Sequence, residues 1–183
     1  VDSEFSVVYS YLHVFIFSSS ICKLYLCWES CVALYCGWIY RYLVYNQQTG
    51  RVYAAKNEKE TFPPASFSKL MTAQIAIDLS LQDHLLQVSK EATQKEPTAL
   101  GLKVTEQLPL SELLRAAIAT SANDAAATIA EGLASEYYQS LSFFTEQMNQ
   151  KALLLGLKNS HFANPEGYDD DSQYSTLEDI FIL

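Results

Sequence analysis

The sequence predicts a mixed fold in which a β-hairpin precedes a mostly helical region. Three observations lead to this prediction. Two short apolar segments flank a turn that contains Gly50. A long segment beginning at Ser66 repeats apolar residues at helical spacing, and residues that favour helix ends follow at intervals. The chain has 183 residues, of which 49% are hydrophobic and 18% charged, which suits one packed domain of ordinary size rather than a disordered chain.

The net charge of −9 argues against a nucleic-acid-binding protein, because such proteins present clustered basic residues and this chain has no basic run. The composition changes near residue 45. All four cysteines and both tryptophans precede that position, whereas all but one of the alanines follow it. We therefore divide the chain into an atypical segment rich in apolar, aromatic and cysteine residues, 1–41, and a globular segment, 42–183.

Residues 1–41 are open to three interpretations: an export signal, a membrane-inserted segment or a non-native reading frame. The acidic start Val1–Glu4 differs from the basic start of an export signal. Residues 5–22 approach the roughly 18 apolar residues that a membrane span needs, but they include His13 and several serines. The cysteines lack the close pairs typical of zinc ligands, and a disulfide pairing is left open. A non-native frame explains the density of cysteine and aromatic residues most simply.

The organised segment begins with the hairpin, whose predicted strands are Tyr42–Tyr45 and Arg51–Ala55. A polar loop, Asn57–Pro64, ends in two prolines that prevent a helix from starting earlier. The spacing then predicts a helix over Ser66–Leu81. Its apolar face is predicted to consist of Leu70, Ala73, Ile77 and Leu81.

The remaining elements are predicted from capping residues and apolar spacing. In chain order they are an extended piece at Leu86–Val88, a loop over Thr98–Pro109, a helix Glu112–Ala119 capped by Ser111, a break at Thr120–Asn123, a helix Asp124–Tyr138, a helix Phe143–Leu155 capped by Ser142 and closed by Gly156, and a last helix opened by the capping box Ser175–Glu178.

Ser66 and Lys69 are candidate catalytic residues. They are three positions apart at a predicted helix start, so both side chains emerge on one face. A serine hydroxyl needs a base within hydrogen-bond reach, and a lysine can be that base only if its pKa is lowered. Burial and the positive end of the helix dipole both act in that direction. The plain structural alternative is an N-cap serine followed by a solvated lysine.

Ser121 and Asn123 form a second candidate group. They lie in the break between two predicted helices, where a tight turn can direct a hydroxyl and an amide into a cleft. A second hydroxyl can pass a proton to a leaving group, and an amide can orient a substrate carbonyl. Ordinary turn and capping chemistry is the alternative for both residues.

Residues 64–72 (PASFSKLMT) resemble the active-serine motif of the serine-type D-alanyl-D-alanine carboxypeptidases, a group of low-molecular-mass penicillin-binding proteins. Residues 120–126 (TSANDAA) resemble the second motif of that family, S-x-N followed by D-A. The flanking residues 48–53 (QTGRVY) and 159–167 (NSHFANPEG) are similar as well, and the likeness continues through Tyr174–Thr176 to Asp179. It covers about three quarters of the chain, from Tyr42 onward.

The resemblance implies an α/β penicillin-recognising fold of the β-lactamase/transpeptidase type, incomplete in this chain. It also implies that Ser66 is the acylated nucleophile, Lys69 its general base, and Ser121 and Asn123 the proton-relay and substrate-binding pair. The implied substrates are the peptidoglycan pentapeptide, which loses its terminal D-alanine, and β-lactams, which acylate the same serine. No metal or organic cofactor is implied. The implied location is extracytoplasmic, in the periplasm or at the outer face of the cytoplasmic membrane. An association with the membrane surface is compatible with this location.

The sequence also departs from the family. The third family motif, K-T-G, does not occur in it, so we expect a catalytic domain truncated at its C-terminal end, with residues 180–183 open to interpretation as an out-of-frame tail. Two alternatives to a carboxypeptidase stay open. One is a serine β-lactamase-like hydrolase, against which Ala122 argues because those enzymes have S-D-N at the second motif. The other is an inactive fragment or pseudoenzyme.

Overall fold

The computed structural model describes residues 12–16, 40–46, 49–80, 83–136 and 140–183. Most of the atypical segment 1–41 therefore lies outside the described residues, and so do the interpretations placed on it. The chain divides into two compact units, Val1–Glu60 and Thr61–Leu183. The expected division into 1–41 and 42–183 stays a prediction.

The first unit contains a three-stranded antiparallel sheet of β1 (Leu12–Ile16), β2 (Tyr42–Asn46) and β3 (Val52–Lys56). β2 and β3 form the predicted hairpin. Its turn is closed where the Gly50 amide donates to the Asn46 carbonyl at 2.8 Å. Along β2, Leu43 and Tyr45 are buried while their neighbours are less so, which is the alternation expected of a strand with one covered face.

The second unit is mostly helical. Its helices are α1 (Ser68–Leu79), α2 (Leu110–Ala119), α3 (Asn123–Glu136), α4 (Leu141–Leu155) and α5 (Leu177–Ile182). A 3₁₀ turn, Ala65–Phe67, leads directly into α1, and a second one lies at Ala92–Gln94. Two short strands, β4 (Leu85–Gln87) and β5 (Gln107–Pro109), pair antiparallel. The predicted order of a hairpin followed by mostly helices is confirmed.

The core of the second unit is built around α3, which contacts α1, α2 and α4. α3 is rich in alanine, and its buried alanines allow the neighbouring helices to approach closely. Larger apolar side chains fill the space between the helices; the fully buried ones include Met71, Leu113, Ile129, Leu133, Phe144 and Met148. This packing holds the start of α1 and the junction between α2 and α3 in fixed positions.

The predicted apolar face of α1 is wrong. Ile77 is 60% exposed, whereas the buried positions are Ser68, Lys69, Met71, Thr72, Ile75 and Ala76. Half of the residues on this buried face are polar. Lys69 and Thr72 can be buried because their side chains donate to the backbone carbonyls of Glu166 and Pro165 in a neighbouring loop. Apolar spacing therefore does not mark the face that is buried.

Three predicted helix caps also need correction. The N-cap of α4 is Ser140, and Ser142, the predicted cap, lies in the first turn of the helix. Ser111 lies in the first turn of α2, and its amide and hydroxyl both donate to the carboxylate of Asp83, at 2.9 and 2.7 Å. At α5 the N-cap is Thr176, whose Oγ1 accepts from the amide of Asp179 at 3.1 Å. β5 is a further difference, since its residues were predicted to be loop. Gly156 closes α4 in a left-handed conformation, φ 77°, as its position predicts.

Candidate active site

Ser66 lies in the 3₁₀ turn that precedes α1, and its side chain is exposed. Ala65 before it has a positive φ of 48°, which is rare for a residue with a side chain. Gly167 explains how this turn is held. A Cβ on Gly167 would lie 2.0 Å from the Ala65 carbonyl oxygen, so the two backbones can approach this closely only because position 167 is glycine.

Lys69 lies in the first turn of α1 and is only 2% exposed. Its Nζ donates to Ser66 Oγ at 3.2 Å and to the backbone carbonyl of Glu166 at 2.6 Å. Burial lowers the pKa of Lys69, and the negative charge of Glu166 partly opposes this effect. The first turn of a helix also disfavours a positive charge. Lys69 therefore has an environment in which an amine loses its proton more readily than in water.

Ser121 lies between α2 and α3 with a positive φ of 59°. Its Oγ donates to Ser66 Oγ at 2.8 Å. The two serines are 55 positions apart in the chain, and the packing of α1 against α2 and α3 brings them together. Ser66, Lys69 and Ser121 thus form one hydrogen-bonded group, which we name the serine–lysine centre.

Asn123, the fourth predicted site residue, is the first residue of α3 and is buried. Its backbone amide donates to the carbonyl of Thr98 at 2.7 Å. Its side-chain Nδ2 lies 3.5 Å from the carbonyl of Glu96, which also accepts a 2.6 Å hydrogen bond from the hydroxyl of Tyr168. Among the described residues, no hydrogen bond joins Asn123 to the serine–lysine centre. Its predicted role stays a prediction.

Glu166 is a component of the site that the sequence reasoning missed as an individual residue. Its backbone carbonyl accepts from Lys69, and its carboxylate oxygen Oε1 lies 2.7 Å from Lys95 Nζ. The loop around it is tied to α1 a second time, because Thr72 Oγ1 donates to the carbonyl of Pro165 at 2.7 Å. The signal in the sequence is the segment 159–167, whose N-P-E-G turn contains an acidic residue in an otherwise uncharged stretch.

The serine–lysine centre has the functional groups that acyl transfer by a serine nucleophile requires. It combines an exposed hydroxyl, a buried amine hydrogen-bonded to it, and a second hydroxyl that also hydrogen-bonds to it. Among residues 40–46, 49–80, 83–136 and 140–183, no group of three or more His, Cys, Asp or Glu side chains is arranged to hold a metal ion. In the same part of the chain, no helix is long and apolar enough to cross a membrane.

The fold is that of the penicillin-binding proteins and D-alanyl-D-alanine peptidases. The D-alanyl-D-alanine carboxypeptidase from Mycobacterium tuberculosis H37Rv superposes with a TM-score of 0.68 at 28% sequence identity, over 78% of this chain and 53% of that one. Penicillin-binding protein D2 from Listeria monocytogenes, solved with ampicillin bound, superposes with a TM-score of 0.64 at 28% identity, over 78% of this chain and 58% of that one. The predicted α/β penicillin-recognising fold is confirmed.

The chain belongs to the D-alanyl-D-alanine carboxypeptidase family of peptidases, family S11, whose profile matches residues 40–183. A curated relative, the D-alanyl-D-alanine carboxypeptidase DacF of Bacillus subtilis, is 30% identical over 142 residues. That match covers 75% of this chain and 36% of the relative. The chain thus spans little more than a third of that relative's length. The resemblance drawn from the motifs is confirmed.

Proposed function

We propose that the serine–lysine centre is part of a D-alanyl-D-alanine carboxypeptidase site and that this chain forms an acyl-enzyme through Ser66. The observation that supports this most directly is the chain of contacts from Ser121 Oγ to Ser66 Oγ at 2.8 Å and from Ser66 Oγ to Lys69 Nζ at 3.2 Å. Family membership supports the choice of reaction.

In the proposed mechanism, the free amine of Lys69 takes the Ser66 proton as Oγ attacks the carbonyl carbon of the penultimate D-alanine. A C–O bond forms and the carbonyl becomes a tetrahedral oxyanion. The C–N bond to the terminal D-alanine then breaks, and Ser121 passes the proton from Lys69 to the departing amine. Water hydrolyses the resulting ester and regenerates Ser66.

Asn123 is proposed to orient the substrate by hydrogen-bonding its carbonyl. The backbone amide of Asn123 donates to the carbonyl of Thr98, and its side-chain Nδ2 lies 3.5 Å from the carbonyl of Glu96. We propose a peptidoglycan pentapeptide as substrate and β-lactams as acylating inhibitors. The proposed setting is extracytoplasmic, facing the cell wall, and an association with the membrane surface would suit such a substrate. The Listeria protein of the same fold, which was solved with the β-lactam ampicillin bound, supports this choice of inhibitor.

The test is intact-mass spectrometry after incubation with benzylpenicillin. We expect one adduct per chain, absent in Ser66→Ala. Ser68→Ala is a matched control, because it removes a neighbouring serine hydroxyl that is buried and is outside the serine–lysine centre. An adduct that persists in Ser66→Ala, or no adduct on a chain folded by circular dichroism, would contradict the proposal.

A time course of the adduct separates the carboxypeptidase from a β-lactamase-like hydrolase. A carboxypeptidase holds the penicilloyl ester for a long time, whereas a β-lactamase releases it rapidly. Release of D-alanine from a peptide ending in D-Ala-D-Ala, measured with the same variants, tests the substrate directly.

A further inference from the structure

Glu166 has a buried charge for which the proposed mechanism has no use. Its side chain is 1% exposed, and its carboxylate is paired with Lys95 Nζ at 2.7 Å. Lys95 itself is 28% exposed and thus reaches partly into solvent. A carboxylate loses its hydration when it is buried, at a cost that a neighbouring cation only partly offsets. A buried ion pair beside a reactive group is therefore a candidate for a role in the chemistry.

The same residue contacts the candidate base through its backbone. The carbonyl of Glu166 accepts from Lys69 Nζ at 2.6 Å, and no other hydrogen bond of Lys69 Nζ among the described residues is as short. The carbonyl that binds Lys69 and the carboxylate that binds Lys95 belong to the same residue, so the contact with Lys95 restrains the position of both. The turn is stiffened by Asn164, whose Oδ1 accepts from the amides of Gly167 and Tyr168 at 2.8 and 2.9 Å.

The charges around this pair come from several elements. Lys69 on α1 senses the Glu166 carboxylate. Lys95 also faces Glu131 on α3 and the ring of Tyr168, which lies 5.6 Å from its Nζ. Further charges reach the same cluster more weakly: Glu91 acts on Glu131, and Glu96 acts on Tyr168. Burial alone would lower the pKa of Lys95. The nearby groups, Glu166 first among them, outweigh this effect and raise the pKa, so Lys95 stays positively charged.

We propose that Glu166 is a positioning residue of this site: its carboxylate, held by Lys95, fixes the carbonyl that binds Lys69, and the charge balance of the Glu166–Lys95 pair sets the pH at which Lys69 becomes a free base. The inference deepens the proposed function and rests on it, because it assigns Lys69 the role of base.

The direction of each effect follows from the charges. The Glu166 carboxylate favours the protonated form of Lys69, so Glu166→Gln lets Lys69 lose its proton at lower pH. Lys95→Gln leaves the Glu166 charge uncompensated, so Lys69 loses its proton at higher pH. If Glu166 and Lys95 only held the loop in place, the two variants would not shift the titration of Lys69 in opposite directions.

The first measurement is the titration of Lys69 by NMR of the full chain with ¹³C-labelled lysine side chains. The resonance is assigned by its loss in Lys69→Arg. We expect its midpoint to move to lower pH in Glu166→Gln and to higher pH in Lys95→Gln. Glu131→Gln is the matched control, because it neutralises a second carboxylate that faces Lys95 but is not bonded to Lys69, and we expect it to leave the midpoint in place. Unmoved midpoints, or shifts of both variants in one direction, would overturn the inference.

The second measurement is the rate of acylation by benzylpenicillin at about pH 6 and about pH 9. We compare the rate at about pH 6 divided by the rate at about pH 9. Relative to the unaltered chain, this ratio should rise by about threefold or more in Glu166→Gln and fall in Lys95→Gln, since neighbouring charges shift the pH at which the rate increases. The ratio cancels any uniform loss of rate. A chain that is never acylated would contradict the proposed function alone, because the NMR titration does not depend on acylation.

Breaking a buried ion pair can unfold a variant. The double variant Glu166→Gln/Lys95→Gln leaves neither charge unpaired. It is measured in place of either single variant if that variant does not fold. Because Glu166 is the charge that acts on Lys69 directly, we expect the double variant to lower the Lys69 midpoint as well, by less than Glu166→Gln does. A midpoint equal to that of the unaltered chain would count against the inference.

Discussion

The second unit contains two equally buried regions that are held together by different forces. Beneath α3 lies an apolar region, which includes Ile129, Phe144 and Met148. At the start of α1 lies a polar region, which includes Lys69 and Glu166. Apolar burial is non-directional and stabilises in proportion to area, whereas buried charges cost free energy unless each has a well-placed partner. Burial alone therefore does not show what a residue contributes: the first region stabilises the fold, and the second contains residues that we propose take part in the chemistry.

The largest expected effect is at Lys69, where a substitution should change the rate of acylation but not the stability of the fold. In Lys69→Met we expect acylation by benzylpenicillin to slow by about a thousandfold, because the base is lost. The free energy of unfolding should not fall, since an apolar chain of similar length replaces a desolvated amine. Intact-mass kinetics and urea unfolding measure the two quantities. Lys103→Met, at an exposed position, is the control and should change neither.

The next effect tests the apolar region. We expect Phe144→Ala to lower the free energy of unfolding by about 4 kcal/mol, because it leaves a cavity among fully buried side chains. The folded fraction should be acylated at the unaltered rate. Leu154, which is 84% exposed on the same helix, supplies the control: Leu154→Ala should change stability by less than about 0.5 kcal/mol. Equal losses in the two variants would remove the distinction between the regions.

We expect Gly167→Ala to affect both the stability of the fold and the rate of acylation. The added Cβ would meet the Ala65 carbonyl, and the positive φ of 94° costs a further 1–2 kcal/mol or so in a residue with a side chain. We expect a loss of stability of about 2 kcal/mol or more, together with slower acylation, because the turn that carries Ser66 must shift. Gly156→Ala has a similar positive φ but open space around the new Cβ, so it should lose stability without slowing acylation. Equal acylation rates in both variants would show that the close approach to Ala65 does not matter.

The smallest effect concerns a buried carboxylate outside the serine–lysine centre. Asp124 accepts from the amides of Leu100, Gly101 and Leu102 at 2.9–3.1 Å and so anchors this loop to the start of α3. We expect Asp124→Asn to cost about 2 kcal/mol of stability, because a neutral amide replaces a charged acceptor. Acylation should persist, and hydrogen exchange at the three loop amides should increase. Unchanged exchange would show that the loop is held by other contacts.

The serine–lysine centre was predictable to the extent that it is local. Ser66 and Lys69 are three positions apart at the start of one helix, so their contact follows from helical geometry. Ser121 is different, because only the packing of α1 against α2 and α3 brings it to Ser66. The sequence identified it through its motif and not through any spacing to Ser66. The catalytic roles of these residues and of Asn123 stay predictions.

The residues that were not predicted make contacts with residues far away in the sequence. Glu166 contacts Lys69 across 97 positions, and Asp83 caps α2 across 28. Neither contact leaves a periodic signal in the sequence. The buried face of α1 was assigned wrongly for a related reason, since Lys69 and Thr72 are buried by hydrogen bonds to a distant loop and not by hydrophobicity.

By itself the sequence determined the hairpin, the succession of helices and the family, because turn residues, apolar spacing and short motifs are encoded within a few neighbouring positions. The tertiary structure alone decided which polar side chains are buried, which helix face is covered and which carbonyl receives Lys69. Those outcomes depend on contacts between segments that are distant in the chain, where each buried donor or charge must find a partner to offset its lost hydration.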